Sequence, residues 1–352
     1  MNFKNINWKN FLFLDIPILL LGINYIFYNV LQEEEFKTIF RIASMFFFVA
    51  GYLFKEKLTI KSKEIILLFF LTIALFINGG MILNFIAIVL FVVCTTNSIN
   101  LIIEHVCKIN CFLTFVIFIL LTLGMTNDVI YLSSNGRLRH ALGFNHPNAA
   151  ALFYTANILL LAIYIRKINL LIVSAIVSYI IFYYTDSRTS FLAIMFFLIL
   201  ESINIFLERK NKKTYQIILA KISMIVIDVL FTFSFLSVFF INKLLFLDEL
   251  LSYRISIASA MANKSGLYGL IFGGTSDWAD NFYYMLLFQY GIIVYICVAI
   301  ITHLSIKKLI DRKNLRYIPL LTSIFVLATM ESSLIRPEIL IMLVTWKIIF
   351  RA

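Results

Sequence analysis

Charge is scarce in this chain. Only 14% of its 352 residues are Asp, Glu, Lys or Arg, while 62% are hydrophobic. A soluble domain of this length cannot hide so much apolar surface, so lipid must be the solvent for most of it. Cysteine is rare as well. Cys94, Cys107, Cys111 and Cys297 form no Cys-x-x-Cys pair, which argues against a disulfide framework or a zinc site. No basic-then-apolar leader ends in a small-residue cleavage site, so the first apolar segment is expected to stay as an anchor. Internal repeats, low-complexity runs and linkers are also missing, and one integral-membrane domain over 1–352 is the simplest organisation. The net charge is +11, but its lysines and arginines are scattered in short loops between apolar runs. That is a topology signal and not a nucleic-acid surface, so no nucleic-acid partner is expected.

The apolar runs predict an all-α polytopic membrane protein. A spanning helix needs about 20 mostly apolar residues, and twelve such segments can be drawn: 11–31, 38–54, 65–78, 81–97, 111–127, 148–165, 170–184, 189–207, 216–241, 281–302, 317–332 and 338–350. With the N-terminus inside, nineteen lysines and arginines fall in inner segments and eight in outer ones. This bias places both termini in the cytoplasm. Two outer segments are then long, 128–147 and 242–280. Gly136, Gly143, Gly266, Gly269, Gly273 and Gly274 lie in them, as tight turns or close approaches would require.

Chemistry is expected on this outer side. Arg137, Arg139, His140 and His146 fall within ten positions of one another, and guanidinium donors beside an imidazole suit an anionic ligand or proton transfer. Arg137 and Arg139 share a face if the backbone is extended. His146 precedes Pro147, which favours an extended conformation there; it is either a base or the cap of a helix that Pro147 and Asn148 begin. Residues 244–263 read as one amphipathic helix with a polar stripe of Glu249, Ser252, Ser256, Ser259 and Asn263. Arg254 projects from its apolar side, where a guanidinium snorkels to headgroups or meets a phosphate. Arg188, in the Asp186–Ser190 turn, is either a helix-end pair or part of a shared cavity. Asp277, Trp278, Asp280 and Tyr283 set carboxylates among aromatic rings, as in a glycan-facing surface or an interfacial belt. Among charges within spans, Arg41 lies one turn below an outer helix end. Lys221 and Asp228 share a face turned to neighbouring helices, and Glu201 and Lys347 read as anchors near inner ends.

These pieces resemble the bacterial O-antigen polymerase/ligase superfamily, and within it the Wzy-type capsular and exopolysaccharide repeat-unit polymerases. The matching residues are Arg-x-x-x-x-Gly-Phe-x-His-Pro-Asn (Arg139 to Asn148), the Ser-Arg-Thr turn (Ser187 to Thr189), Tyr-Arg before a Gly-rich segment (Tyr253 to Gly274), and Asp-Asn-x-Tyr (Asp280 to Tyr283). The resemblance implies a fold similar to GT-C membrane glycosyltransferases. It also implies transfer of a growing glycan from undecaprenyl pyrophosphate onto a lipid-linked repeat unit, outside the bacterial cytoplasmic membrane. Positions matching Arg139, Arg188 and Arg254 would hold the pyrophosphate, with Arg137 and Arg41 as further cations. Asp277, Trp278, Tyr283 and Asn148 would face the glycan, and a flippase and a chain-length regulator are possible partners. Relatives that are ligases carry a histidine where this chain has Asp280, so the base is Asp280 or His146.

No Asp-x-Asp pair lies on the outer side. Guanidinium groups would therefore neutralise the leaving pyrophosphate, without a metal or other cofactor and with inversion at the anomeric carbon. A flippase for lipid-linked oligosaccharides is the rival reading, but it would favour repeats and a site near the bilayer midplane. A ligase that keeps the same residues, or a catalytically silent scaffold, would also fit the sequence.

Overall fold

A computed structural model describes residues 8–33, 35–54, 69, 83–95, 97–132, 136–274 and 279–351 (for Asn242 and Leu250, the backbone only). It is almost wholly helical, with one two-stranded ribbon. Among the described residues, eight helices are long and apolar enough to cross a membrane, as in a multi-pass membrane protein. They are α1 (Trp8–Asn29), α2 (Phe36–Leu53), α4 (Ile99–Thr122), α5 (Pro147–Ile165), α6 (Ile168–Thr185), α7 (Arg188–Arg209), α8 (Lys213–Ser237) and α11 (Phe282–Asp311). Their outer faces are apolar: Phe46, Phe115, Phe118, Ile176, Ile222 and Ile225 are all more than half exposed, which lipid tolerates and water does not. Three apolar helices are shorter: α3 (Leu83–Cys94), α12 (Ile318–Leu327) and α13 (Leu340–Arg351). At 1.5 Å per residue their helical stretches cover part of a core of about 30 Å, and α3 begins at the edge of the described residues. The segment expected to span over 65–78 lies outside the described residues apart from Phe69.

The helices group into two compact units whose boundary runs through α3, α7 and α13. The first holds α1, α2, α4, α5, α6 and most of α7. Its core includes Tyr25 stacked on Phe153 at 5.6 Å, with Phe144 edge-on at 6.1 and tilted at 5.4 Å from the two rings. The Tyr25 hydroxyl donates to Ala149 O at 2.8 Å, and Asn145 N donates to Asn29 O at 2.6 Å, so α1 carries the start of α5. α4 begins at Ile99 and not at 111, because Ser98 caps it and a Glu104–Lys108 pair supports its polar first turns. Glu201 is no surface anchor: it is fully buried and accepts from Arg166 Nε at 2.7 Å.

The second unit holds α8, α9 (Leu245–Leu250), α10 (Arg254–Phe272), α11 and α12. Tyr295 donates to Phe231 O at 2.5 Å and Trp346 Nε1 to Leu334 O at 2.7 Å, so buried hydroxyl and indole groups are satisfied as packing requires. Asp228 pairs with His303 of α11 at 2.9 Å, whereas Lys221 is exposed. Lys347 is buried and is not an exposed anchor. Gly273 and Gly291 meet backbone to backbone where α10 ends against α11. A Cβ on either would run into the other strand's carbonyl, and both have φ above +75°.

Candidate functional site

In the first unit the segment after α4 folds into a ribbon, β1 (Ile130–Leu132) against β2 (Leu138–His140), antiparallel with Tyr131 opposite Arg139. The extended backbone sends Arg137 and Arg139 to one place, the C-terminal end of α6. Arg139 Nε donates to Thr185 O at 2.8 Å and its Nη2 to Asn148 Oδ1 at 2.6 Å. Arg137 donates to Asp186 Oδ1 at 2.9 Å and to Tyr183 O at 2.7 Å, over the rings of Phe182 and Tyr183. Two guanidinium groups thus sit where the last carbonyls of a helix are unpaired and its dipole is negative. His140 is held by Asp128 at 2.6 Å, and the other carboxylate oxygen of Asp128 accepts from Leu142 N at 2.7 Å.

His146 is extended, as its place before Pro147 predicts, and caps α5: its Nδ1 accepts from Asn148 N at 3.1 Å while its ring packs on Tyr131. In that tautomer the Nδ1 lone pair is engaged in the cap. Arg188 is exposed at the start of α7 and makes no hydrogen bond or ion pair among the described residues. Arg41 does not reach a surface. It is buried in α2 at 3.7 Å from Glu338, and its Nε and Nη2 have no hydrogen-bond partner among the described residues.

The second unit builds a different cluster. The helix expected over 244–263 is broken: α9 stops at Leu250, Ser252 and Tyr253 take left-handed φ of 56° and 61°, and α10 starts at Arg254. Asp248 makes the break possible. Its Oδ1 accepts from Ile255 N at 2.8 Å and Ser256 N at 3.0 Å, and its Oδ2 accepts from the Ser256 hydroxyl. The first amides of α10, which have no intrahelical partner, are capped from the preceding helix.

At this corner Arg254 faces neither headgroups nor bulk water alone. It donates to Leu251 O at 2.9 Å, to Asp280 O at 3.1 Å and to Met330 O at 3.1 Å. It therefore ties the strip before α11 to the strip after α12. Asn281 caps α11 by accepting from Tyr283 N and Tyr284 N, and its side-chain amide donates to Thr329 O at 2.7 Å.

Asp280 is exposed on this strip. Tyr283 is fully buried and donates to Phe325 O at 2.9 Å, which makes it a core residue rather than a glycan-facing one. Asp277 and Trp278 lie outside the described residues.

The strip after α12 holds two groups that hydropathy obscured, Glu331 and Arg336. Burial above all, then the neighbouring Asp280 carboxylate, pushes Glu331 up to about 7; Arg336 and Arg254 pull the other way. The signal in the sequence was faint, a Glu and an Arg five positions apart after an apolar run. No family model, curated protein or solved structure matches this chain.

Proposed function

We propose that this chain is an integral-membrane glycosyltransferase that polymerises oligosaccharide repeat units. It moves a growing glycan from undecaprenyl pyrophosphate onto a second lipid-linked unit, with inversion, at the outer face of the bacterial cytoplasmic membrane. Twelve spans in a GT-C-like arrangement, with both termini in the cytoplasm, belong to the same reading. The supporting observation is that Arg254 joins Asp280 to Met330, the neighbour of Glu331, with Arg336 close enough to act on the same carboxyl, so two cations and two carboxylates group together. Glycosyl transfer from a diphosphate needs both kinds of group: positive charge for the leaving diphosphate and a base for the acceptor hydroxyl. Arg139 and Arg188 are taken to serve the same anionic class of ligand.

Purified protein in lipid nanodiscs, given defined diphosphate-linked repeat units, is expected to yield a ladder of longer lipid-linked glycans. If no ladder forms, but protein in vesicles moves the same units between leaflets, the polymerase reading fails and the flippase reading replaces it.

A further inference from the structure

Glu331 is held opposite Asp280 by consecutive cross-links. Phe282 N donates to Ala328 O at 2.9 Å, Asn281 Nδ2 to Thr329 O at 2.7 Å, and Arg254 joins Asp280 O to Met330 O. Glu331 is the next position along the same strip, with its own N–H fixed on Leu327 O at 3.0 Å. The charged groups acting on it come from each neighbouring segment: Asp280 from the strip before α11, Arg254 from the start of α10, and Arg336 from beyond the Ser333–Ile335 turn.

We propose that Glu331 takes the proton from the acceptor hydroxyl, with Arg254 as the residue that positions it and Asp280 and Arg336 as the charges that tune it. This assignment rests on the glycosyltransferase reading above. It replaces Asp280 and His146 as the base. His146 spends the Nδ1 lone pair on the cap of α5. Asp280 is exposed, whereas the half-buried Glu331 holds its proton up to about pH 7, and a general base works best with an affinity near the working pH.

In the step, the acceptor oxygen attacks the anomeric carbon as the bond from that carbon to the diphosphate oxygen breaks. The bonding electron pair leaves with the prenyl diphosphate, and the hydroxyl proton passes to Glu331 and later to water. Arg254 has five N–H groups and directs three at carbonyls, so two remain for a developing anion.

The test is kcat/KM against pH, with defined diphosphate-linked repeat units, for wild type, Glu331→Gln, Glu331→Asp, Asp280→Asn and Arg336→Gln. Wild type is expected to rise about tenfold per pH unit below a pH near 7 and then level off. Glu331→Gln should lose about 10²–10⁴ and the rising limb with it, while Glu331→Asp loses less and keeps the limb. Asp280→Asn removes repulsion and should move the limb to lower pH; Arg336→Gln removes attraction and should move it higher.

A Glu331→Gln protein with the wild-type rate and limb overturns the assignment and leaves the polymerase reading standing. Loss of the limb in Asp280→Asn, with a drop of about 10² or more, makes Asp280 the base instead. The absence of any product from wild type overturns both. Should Glu331→Gln not fold, the opposed limb shifts of Asp280→Asn and Arg336→Gln still decide: limbs that stay put refute a base at Glu331.

Discussion

Arg254 and Arg188 were expected to play one role, and their surroundings separate them. Arg254 is a frame residue first: its fork reaches three carbonyls from three segments, a geometry that a lysine ammonium cannot reproduce. Arg254→Ala should lower stability by about 2–4 kcal/mol, with no rescue by Arg254→Lys, as read from thermal unfolding in detergent. A loss of polymer in that variant would therefore report a loosened frame as much as a lost ligand. Arg188 has no such duty among the described residues. Arg188→Ala should unfold within about 0.5 kcal/mol of wild type, yet raise KM for the lipid-linked donor about 10- to 100-fold if it binds phosphate. An unchanged KM would remove it from the site.

Glu331 carries a stability signature too. A free glutamate titrates at 4.5 and this one at about 7, so both folded and unfolded chains are protonated below 4.5 and no penalty exists there. As pH rises the unfolded chain ionises first, and stability falls until the folded group follows near 7. Glu331→Gln should therefore match wild type at pH 4 and be more stable by about 1–3 kcal/mol at pH 8.

At the scale of elements, periodicity located helices well and their ends poorly. The long apolar spans were legible because about 20 consecutive apolar residues leave the backbone no choice in lipid but to bond to itself. The break at Leu251–Tyr253 was not, because apolar spacing continues through it and the cap comes from Asp248, seven residues before the amide it receives. Hydropathy also extended a span to residue 332, whereas α12 ends at Leu327; that overrun is why Glu331 passed for part of a membrane segment. The extended backbone at His146, and with it the cap as one of its two readings, was readable, since Pro147 restricts its neighbour whatever the tertiary context; at Arg137–Arg139 an extended backbone was only a condition for a shared face. Asp248→Ala should cost about 1–3 kcal/mol and loosen the start of α10, visible as faster amide exchange at Ile255 and Ser256 than in wild type. Exchange unchanged there would mean that the left-handed turn at Ser252 and Tyr253 holds without its cap.

For the whole molecule, what matters is which side of the membrane the Glu331 strip faces, and the second unit alone is enough to ask it. α8 has 25 residues, and α11, which breaks at Gly291 where φ is 85°, runs on unbroken over residues 292–311; each stretch reaches the roughly 20 residues that a bilayer requires. Ser252 and Asn211 therefore lie at opposite ends of a crossing helix, as do Gly291 and Lys313, and Arg254 ties Asp280 to the Ser252 side. The loop at Asn211 is flanked by Arg209, Lys210, Lys212 and Lys213, and the one at Lys313 by Lys307, Lys308, Arg312 and Arg316. Basic density of that kind is retained in the cytoplasm. The Asp280–Glu331 strip would then face outward, where a prenyl diphosphate delivered across the membrane presents its glycan. With the four native cysteines replaced by serine, Ser252→Cys and Lys264→Cys should react with a membrane-impermeant maleimide in intact cells. Asn211→Cys and Lys313→Cys should react only after the cells are opened. The reverse pattern would put the strip on the cytoplasmic side, where nucleotide-activated sugars compete as donors, and the case for a diphosphate-linked donor would lose its geometry.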